Sequence, residues 1–241
     1  KVASSARLLG YKVILNDPPR ARKEGESKFV SLDKLITDSD IITIHVPLTS
    51  DGPDGTEDLI DRQLMNKVKN NMILINTSRG GIVNEDALLN SLEKKKINAC
   101  VIETWEKEPL INKDLLKRTS IATPHIAGYS ADGKYRAITM ILDDLSHFFD
   151  LPVKKQTNIN LMPPINKYID LDLTADLSSI IGSAILRTYP IMDDHHSLLK
   201  SPDKFEEIRN TYPDRREFDS YRIKEAPPEA KTILSELGFY V

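Results

Sequence analysis

The chain has 241 residues, of which 40% are hydrophobic and 29% are charged, and its formal net charge is −3. This is the composition of an ordinary globular protein with enough length for one large domain or two smaller ones. The small negative charge gives no reason to expect a nucleic acid or an anionic membrane as partner, and no apolar run approaches the roughly 20 residues that span a bilayer. The single cysteine, Cys100, excludes an intrachain disulfide and favours a reducing cytoplasm.

The first half of the chain alternates between helix-like and strand-like segments. Residues 1–10 predict a helix that Gly10 ends, and residues 11–16 (YKVILN) predict a buried strand. Further buried strands are predicted over residues 41–46 (IITIHV) and in the apolar runs that end at residues 75, 102 and 122. The intervening segments predict helices over residues 31–38, 61–69 and 84–96, with Ser31 and Asn84 as caps and three lysines in the last turn of the third helix. This alternation predicts an α/β fold over residues 1–130, a doubly wound, Rossmann-like parallel sheet.

Asp17 follows the first predicted strand, where dinucleotide-binding folds place the acidic residue that binds the adenosine ribose of NAD. The glycine-rich phosphate turn lies about 20 residues before that acidic residue, which puts it upstream of Lys1. We therefore expect the sheet to be incomplete, and the chain to be a fragment that lacks the glycine fingerprint and a preceding substrate domain. An equally weighted alternative is that Asp17 only caps the turn before Pro18.

The pattern changes in the second half of the chain. Residues 131–150 predict one long helix, and eight of the 14 prolines lie beyond it, in residues 151–241, where the alternation stops. A strand pair is predicted between residues 168–173 and 218–223, with helices over residues 175–188, 202–210 and 229–237. These features indicate a separate α+β domain over residues 151–241. Residues 193–196 (DDHH) predict a solvated loop, since adjacent residues rarely converge on one metal ion, and no metal site is predicted.

Three chemically active residues, Arg79, Glu108 and His125, follow successive predicted strands. The carboxyl ends of parallel strands meet at one edge of a sheet, so we expect the three side chains in one crevice. A guanidinium matches a carboxylate with a planar fork, and an imidazole accepts a proton near neutral pH. A carboxylate on the other ring nitrogen fixes the tautomer and stabilises the imidazolium.

Three segments around these residues resemble the NAD-dependent D-2-hydroxyacid dehydrogenases: residues 76–83 (NTSRGGIV), 105–109 (WEKEP) and 123–130 (TPHIAGYS). The resemblance implies that an imidazole removes the substrate hydroxyl proton while a hydride passes to NAD. It implies these roles: His125 as the base, Glu108 as its partner, Arg79 as the clamp on the substrate carboxylate.

The same resemblance implies the cofactor and substrate contacts. The implied NAD-binding residues are Asp17, Val46, Glu103 and Gly128, and Tyr129 is the implied substrate contact. The family usually has aspartate at the position of Glu103, so the extra methylene puts that contact in question.

Two further segments, residues 125–134 (HIAGYSADGK) and 212–218 (YPDRREF), narrow the resemblance to members that oxidise a phosphorylated 2-hydroxy acid in vitamin B6 biosynthesis. This implies a homodimer formed through a dimerisation domain over residues 151–241, and a helix over residues 131–150 that returns toward the absent substrate domain. Two alternatives remain open. One is another D-2-hydroxyacid dehydrogenase acting on 3-phosphoglycerate or glycerate, and the other is a non-catalytic NAD-sensing scaffold, because fold alone does not establish activity.

Overall fold

The computed structural model describes residues 1–151 and 161–241, which form two compact units. The first, which we call the sheet unit, consists of Tyr11–Ile126 and Ile191–Thr211. The second, which we call the tail unit, consists of Lys1–Gly10, Ala127–Pro190 and Tyr212–Val241. None of the helices formed by the described residues is both long and apolar enough to cross a membrane.

The sheet unit is built on a parallel sheet, as predicted. Its strands, in spatial order, are β1 (Ile41–Ile44), β2 (Met72–Asn76), β3 (Ile97–Ile102) and β4 (Ile121–Ala122). Its helices are α2 (Pro18–Glu24), α3 (Leu32–Asp38), α4 (Arg62–Lys67), α5 (Glu85–Glu93), α6 (Lys113–Arg118), α9 (Ile191–Lys200) and α10 (Phe205–Asn210). Spatial order equals chain order, so among the described residues the sheet lacks the reversal of a complete doubly wound fold.

The core of the sheet unit lies where side chains of neighbouring strands stand side by side. Leu74 of β2 pairs with Cys100 of β3, and both are fully buried. Leu88 of α5 and Leu115 of α6 are also fully buried in this core. Helical spacing places such side chains on the face of each helix that covers the sheet.

The predicted strand over residues 11–16 is wrong. Its backbone accepts a single inter-segment hydrogen bond, from the Val30 amide to the Leu15 carbonyl at 2.8 Å. A strand needs a ladder of such bonds to a neighbour, and the described residues supply none. Helix α2 follows instead, with Asp17 as its N-cap: the carboxylate accepts a hydrogen bond from the Arg20 amide at 3.0 Å.

Two other elements of the sheet unit differ in extent from the prediction. Strand β1 stops at Ile44, and its side chains alternate between exposed and buried, so only one face of this strand is covered. Helix α5 begins after its predicted cap, Asn84, but ends at Glu93, so the three lysines form the following turn. Lys95 there has a positive φ of 55°, which a helix does not allow.

Residues 193–196 are not a loop but part of helix α9, and this changes the predicted domain boundary. Leu198 and Phe205 are fully buried in the core of the sheet unit. His195 is also buried, and its Nδ1 accepts a hydrogen bond from the Ala122 amide of β4 at 3.1 Å. Residues 191–211 therefore pack on the sheet and do not belong to a domain running continuously from residue 151. Within the described ranges, no group of three His, Cys, Asp or Glu side chains is placed to hold a metal.

The predicted helices over residues 131–150, 175–188 and 229–237 are confirmed in the tail unit, whereas the helix predicted over residues 202–210 forms in the sheet unit. The tail unit also contains the predicted strand pair, but over only two residues of each segment, and residues 218–220 form a 3-10 helix instead of a strand. Its elements are α1 (Val2–Leu8), α7 (Ala131–Phe149), β5 (Tyr168–Ile169), α8 (Leu177–Thr188), β6 (Arg222–Ile223) and α11 (Pro228–Leu237). Strands β5 and β6 pair in parallel. Its core contains Ile180 and Ala184 of α8, Ile223, and Leu234 of α11.

Candidate active site

The loop after β2 is folded around a buried asparagine. The Asn76 side-chain oxygen accepts hydrogen bonds from the Ser78 amide at 3.1 Å and the Ser78 hydroxyl at 2.8 Å. Its amide nitrogen donates to the Arg79 carbonyl at 3.0 Å. These bonds fix the backbone that carries Arg79, whose side chain is exposed and donates to the Ser78 carbonyl at 2.6 Å. Arg79 has no ion pair within the described residues, so its charge faces solvent, where an anionic ligand can reach it.

A glycine allows this loop to pack against the loop that follows β3. A Cβ at Gly80 would lie 1.9 Å from the Trp105 carbonyl oxygen, a distance that no side chain can occupy. Trp105 is itself 2% exposed, and its indole N–H donates to the Thr123 carbonyl at 3.1 Å. The loop after β3 therefore contacts both neighbouring loops, the one after β2 through close backbone packing and the one after β4 through the Trp105 side chain.

Glu108 and His125 form the hydrogen-bonded pair that the sequence predicted. His125 Nδ1 lies 2.8 Å from Glu108 Oε2, and the other carboxylate oxygen accepts from the Trp105 amide at 2.9 Å. The two side chains are 28% and 20% exposed for His125 and Glu108, so solvent and substrate can reach them. With Nδ1 bonded to the carboxylate, Nε2 is the nitrogen available for proton transfer.

The backbone at His125 is also constrained. Its φ is 57°, a left-handed conformation that residues other than glycine seldom adopt and that recurs at active sites. Its amide donates to the Glu103 carbonyl at 3.0 Å, and the Glu103 amide donates to the Asn76 carbonyl at 3.0 Å. Backbone hydrogen bonds thus connect the carboxyl ends of β2, β3 and β4. Arg79 and His125 therefore lie at the same edge of the sheet.

The predicted cofactor contacts in the sheet unit have different surroundings. Glu103 is 3% exposed, and its carboxylate accepts a hydrogen bond from the Thr123 hydroxyl. Val46 lies just past β1, partly buried against the core. Asp17 caps α2 through one carboxylate oxygen. Their roles toward a cofactor stay predictions.

Gly128 and Tyr129 lie in the tail unit, whereas Arg79, Glu108 and His125 lie in the sheet unit. Gly128 is exposed, and a Cβ added there would meet nothing within 4 Å. The Tyr129 ring stands edge-on to Tyr212 with centroids 6.1 Å apart, and Lys134 Nζ lies 4.9 Å from its centroid. The predicted cofactor and substrate roles of Gly128 and Tyr129 stay predictions.

Sequence reasoning missed a reciprocal pair of glutamates beside the active loops. The Glu85 amide donates to a Glu106 carboxylate oxygen at 2.7 Å, and the Glu106 amide donates to a Glu85 carboxylate oxygen at 2.8 Å. Burial raises the pKa of Glu85 to about 7, an effect that the bond from the Glu106 amide opposes only in part. In sequence, Glu85 has the pattern of an exposed glutamate that interacts favourably with the helix dipole in the first turn. No feature of the sequence indicated that it would be buried.

Comparison with known proteins agrees with the parallel α/β fold of the sheet unit. Residues 1–127 match the family model described as D-isomer specific 2-hydroxyacid dehydrogenase, NAD binding domain, which covers more than half of the chain. The chain belongs to this family. Residues 161–238 match a second model, described as a domain of unknown function.

Individual relatives narrow the comparison within the D-2-hydroxyacid dehydrogenases. The chain is 40% identical to an erythronate-4-phosphate dehydrogenase of Bacteroides thetaiotaomicron over 92% of its own length and 62% of the relative. It is 37% identical to an enzyme of the same name from Hydrogenovibrio crunogenus, over 99% of its own length and 64% of the relative. The chain thus spans less than two thirds of the length of these curated relatives.

A solved structure of the same family resembles the fold. D-lactate dehydrogenase from Aquifex aeolicus, crystallised with NAD and lactic acid, is 27% identical and has a TM-score of 0.52. The alignment covers 62% of this chain and 49% of that one.

Proposed function

We propose that the protein is an NAD-dependent 4-phosphoerythronate dehydrogenase that oxidises 4-phospho-D-erythronate to its 2-oxo acid in the biosynthesis of pyridoxal 5'-phosphate. The observation that carries the proposal is the hydrogen bond between Glu108 and His125. The exposed Arg79 at the same edge of the sheet supplies the matching cation. The names of the relatives support the choice of substrate.

The residues present fit NAD. The Asp17 carboxylate oxygen that does not cap α2 suits the ribose hydroxyls, and its charge would repel the 2'-phosphate of NADP. By the family resemblance, Glu103 would bind the nicotinamide carboxamide, and Val46 and Gly128 would each contact the cofactor. When bound, NAD supplies the two-electron acceptor at its nicotinamide ring.

The chain's own residues handle the proton and the substrate. Arg79 binds the substrate carboxylate with its guanidinium fork. The role of Tyr129 as a further substrate contact follows from the family resemblance. His125 Nε2 accepts the proton of the C2 hydroxyl. The electron pair of the broken O–H bond forms the second bond of the C2 carbonyl. The hydrogen on C2 leaves with its own electron pair, as a hydride. Glu108 stabilises the imidazolium that results.

The proposed assembly is a homodimer formed through the tail-unit part of the predicted dimerisation domain, residues 161–190 and 212–241, working in the cytoplasm. Several large apolar side chains of this region are exposed, as is common at interfaces between subunits: Met162, Ile165, Tyr168, Leu173, Leu186 and Tyr240. Most homo-oligomers are two-fold dimers. The free, buried thiol of Cys100 fits a reducing compartment. Light scattering on the intact protein tests the dimer, and a monomer at micromolar concentration contradicts it.

The substrate is tested by comparing kcat/KM for 4-phosphoerythronate, 3-phosphoglycerate and glycerate with NAD. We expect 4-phosphoerythronate to be the best substrate. A higher value for either of the others assigns the protein to another branch of the family. Tight NAD binding with no turnover of any of the three indicates the NAD-sensing scaffold instead.

A further inference from the structure

Three consecutive residues of the tail unit, 215–217, bind the segment that carries Tyr129. The Arg215 guanidinium donates to the Ala127 carbonyl at 2.9 Å, and the Arg215 carbonyl accepts from the Ala131 amide at 2.8 Å. The Ser130 hydroxyl donates to a Glu217 carboxylate oxygen at 2.6 Å. The chain is therefore held just before and just after Tyr129 by residues more than 80 positions downstream.

The strongest of these contacts joins Arg216 to Asp132. The guanidinium donates through Nε and through one terminal nitrogen to the two carboxylate oxygens, both at 2.9 Å. The Glu217 amide donates to the same carboxylate at 2.8 Å. The side chains of Arg216 and Asp132 are only 16% and 9% exposed. A bidentate, charge-assisted pair with little solvent is rigid as well as strong.

The charge state of Asp132 and the cap of α7 are both consistent with a rigidly held helix start. Burial alone would raise the pKa of Asp132, but the hydrogen bonds from Arg216 and from the Glu217 amide outweigh it and lower the pKa. Asp132 lies in the first turn of α7, and Ser130 caps that helix by accepting from the Gly133 amide at 2.9 Å. The pair thus fixes the start of α7, to which Tyr129 is directly attached.

We propose that Arg216, through Asp132, is a positioning residue for Tyr129 and so for binding of the hydroxy acid. The inference rests on the proposed function, in which Tyr129 contacts the substrate. Arg216 does not itself touch the reacting atoms. Without it, the buried Asp132 carboxylate loses its cation, and the start of α7 and Tyr129 move away from the binding geometry. His125 lies in the sheet unit and keeps its own hydrogen bonds.

The expected signature is a change in KM without a matching change in kcat. Arg216→Ala should raise KM for 4-phosphoerythronate about 3- to 10-fold, the range expected for one lost hydrogen bond to substrate. A merely structural role would reduce the folded fraction, which lowers apparent kcat and leaves KM unchanged. Arg216→Lys keeps the positive charge but loses the planar fork, so it should raise KM by a smaller factor. This variant also provides the test if Arg216→Ala does not fold.

Arg136→Ala is the matched control. Arg136 also joins α7 to the same downstream segment, at 3.7 Å from Glu217 and 3.3 Å from Asp219, but its side chain is 51% exposed. Exposed ion pairs contribute little, so we expect its KM to equal that of the wild type.

A double-mutant cycle with Tyr129→Ala tests whether Arg216 acts through Tyr129. In the Tyr129→Ala background, Arg216→Ala should cause no further rise in KM, because the contact it positions is gone. If the two effects on KM multiply, or if Arg216→Ala changes kcat alone, the positioning role is wrong.

A spectroscopic readout separates this inference from the proposed function. In the intact protein with 3-fluorotyrosine at position 129, Arg216→Ala should move the ¹⁹F resonance toward that of free fluorotyrosine, whereas Arg136→Ala should not. A wild-type protein that does not oxidise 4-phosphoerythronate contradicts the proposed function only, and the resonance then decides the positioning role. An unchanged resonance in Arg216→Ala overturns it.

Discussion

His125 Nδ1 lies 2.8 Å from Glu108 Oε2, and the second oxygen of Glu108 is held by the Trp105 amide at 2.9 Å. The carboxylate is therefore fixed at both oxygens, and it fixes the imidazole in turn. This geometry leaves Nε2 as the reactive nitrogen, which is the arrangement needed for an imidazole that removes a hydroxyl proton.

Replacing His125 by glutamine should nearly abolish turnover. General base catalysis contributes about 100- to 10,000-fold, so kcat should fall by that range while the Kd for NAD changes little. Glu108→Gln should cost less, because its amide oxygen can still accept a hydrogen bond from His125 Nδ1, although the charge that stabilises the imidazolium and the acceptor for the Trp105 amide are lost. Steady-state kinetics and calorimetric NAD titration of both variants in the intact enzyme are the measurements. Near wild-type turnover in His125→Gln would show that another group is the base.

Arg79→Lys should impair both binding and turnover. The loop that carries Arg79 is fixed by Asn76, so a lysine there is presented at the same place but as a single ammonium group without the planar fork. We expect KM for the hydroxy acid to rise about 10-fold or more, as for loss of one charge-assisted hydrogen bond, with kcat also reduced. Kinetics with saturating NAD measure this. An unchanged KM in this variant would show that Arg79 does not bind the substrate carboxylate.

Gly80→Ala should destabilise the sheet unit, because its Cβ would lie 1.9 Å from the Trp105 carbonyl oxygen and that backbone cannot yield cheaply. Overpacking of this kind costs about 1–3 kcal/mol or more. Gly128→Ala is the control, since its Cβ would meet nothing within 4 Å, and surface changes of that kind stay within about 0.5 kcal/mol. Urea denaturation of both variants gives the comparison, and equal free energies of unfolding would contradict the close contact.

Glu85→Gln should change how stability depends on pH. The pKa of Glu85 is raised to about 7 by burial, above its ordinary value of 4.5. Below the ordinary value both states are protonated and there is no cost. As the pH rises toward 7, the unfolded state releases the proton first, so Glu85 lowers the free energy of unfolding, by up to about 3 kcal/mol above pH 7. Glutamine has no such proton to lose and still accepts from the Glu106 amide.

The measurement for Glu85 is urea denaturation at pH 5 and pH 8. The variant should gain much more stability relative to wild type at pH 8 than at pH 5, where only a small part of the cost has developed. Glu93→Gln, in the same helix but with a side chain 47% exposed, is the control and should show no such difference. A difference between Glu85→Gln and wild type that is equal at both pH values would mean that Glu85 titrates normally.

Much of the candidate active site could be predicted from sequence because its parts are local. An apolar run followed by a polar or glycine-rich break marks a strand exit, and parallel strands bring their exits to one edge. This logic placed Arg79 and His125 at the same edge of a parallel sheet, and the structure confirms their strands and the bond between Glu108 and His125. The helix caps at Ser31 and Asn84 were predictable for the same reason, since a cap acts only two or three residues away.

The remaining features depend on which distant residues a segment packs against. The local sequence of the segment does not reveal these partners. Residues 11–16 have the composition of a strand, but no neighbour completes their ladder among the described residues. Residues 193–196 are polar enough for a loop, yet they form a helix that packs on the sheet. There His195 accepts a hydrogen bond from the buried amide of Ala122. The burial of Glu85 and the ion pair between Asp132 and Arg216 are long-range events of the same kind. Sequence by itself identified the candidate reacting groups and the strands that they follow, because these depend on short-range pattern. Tertiary structure alone decided which polar side chains leave water, because burial depends on contacts between residues far apart in the chain.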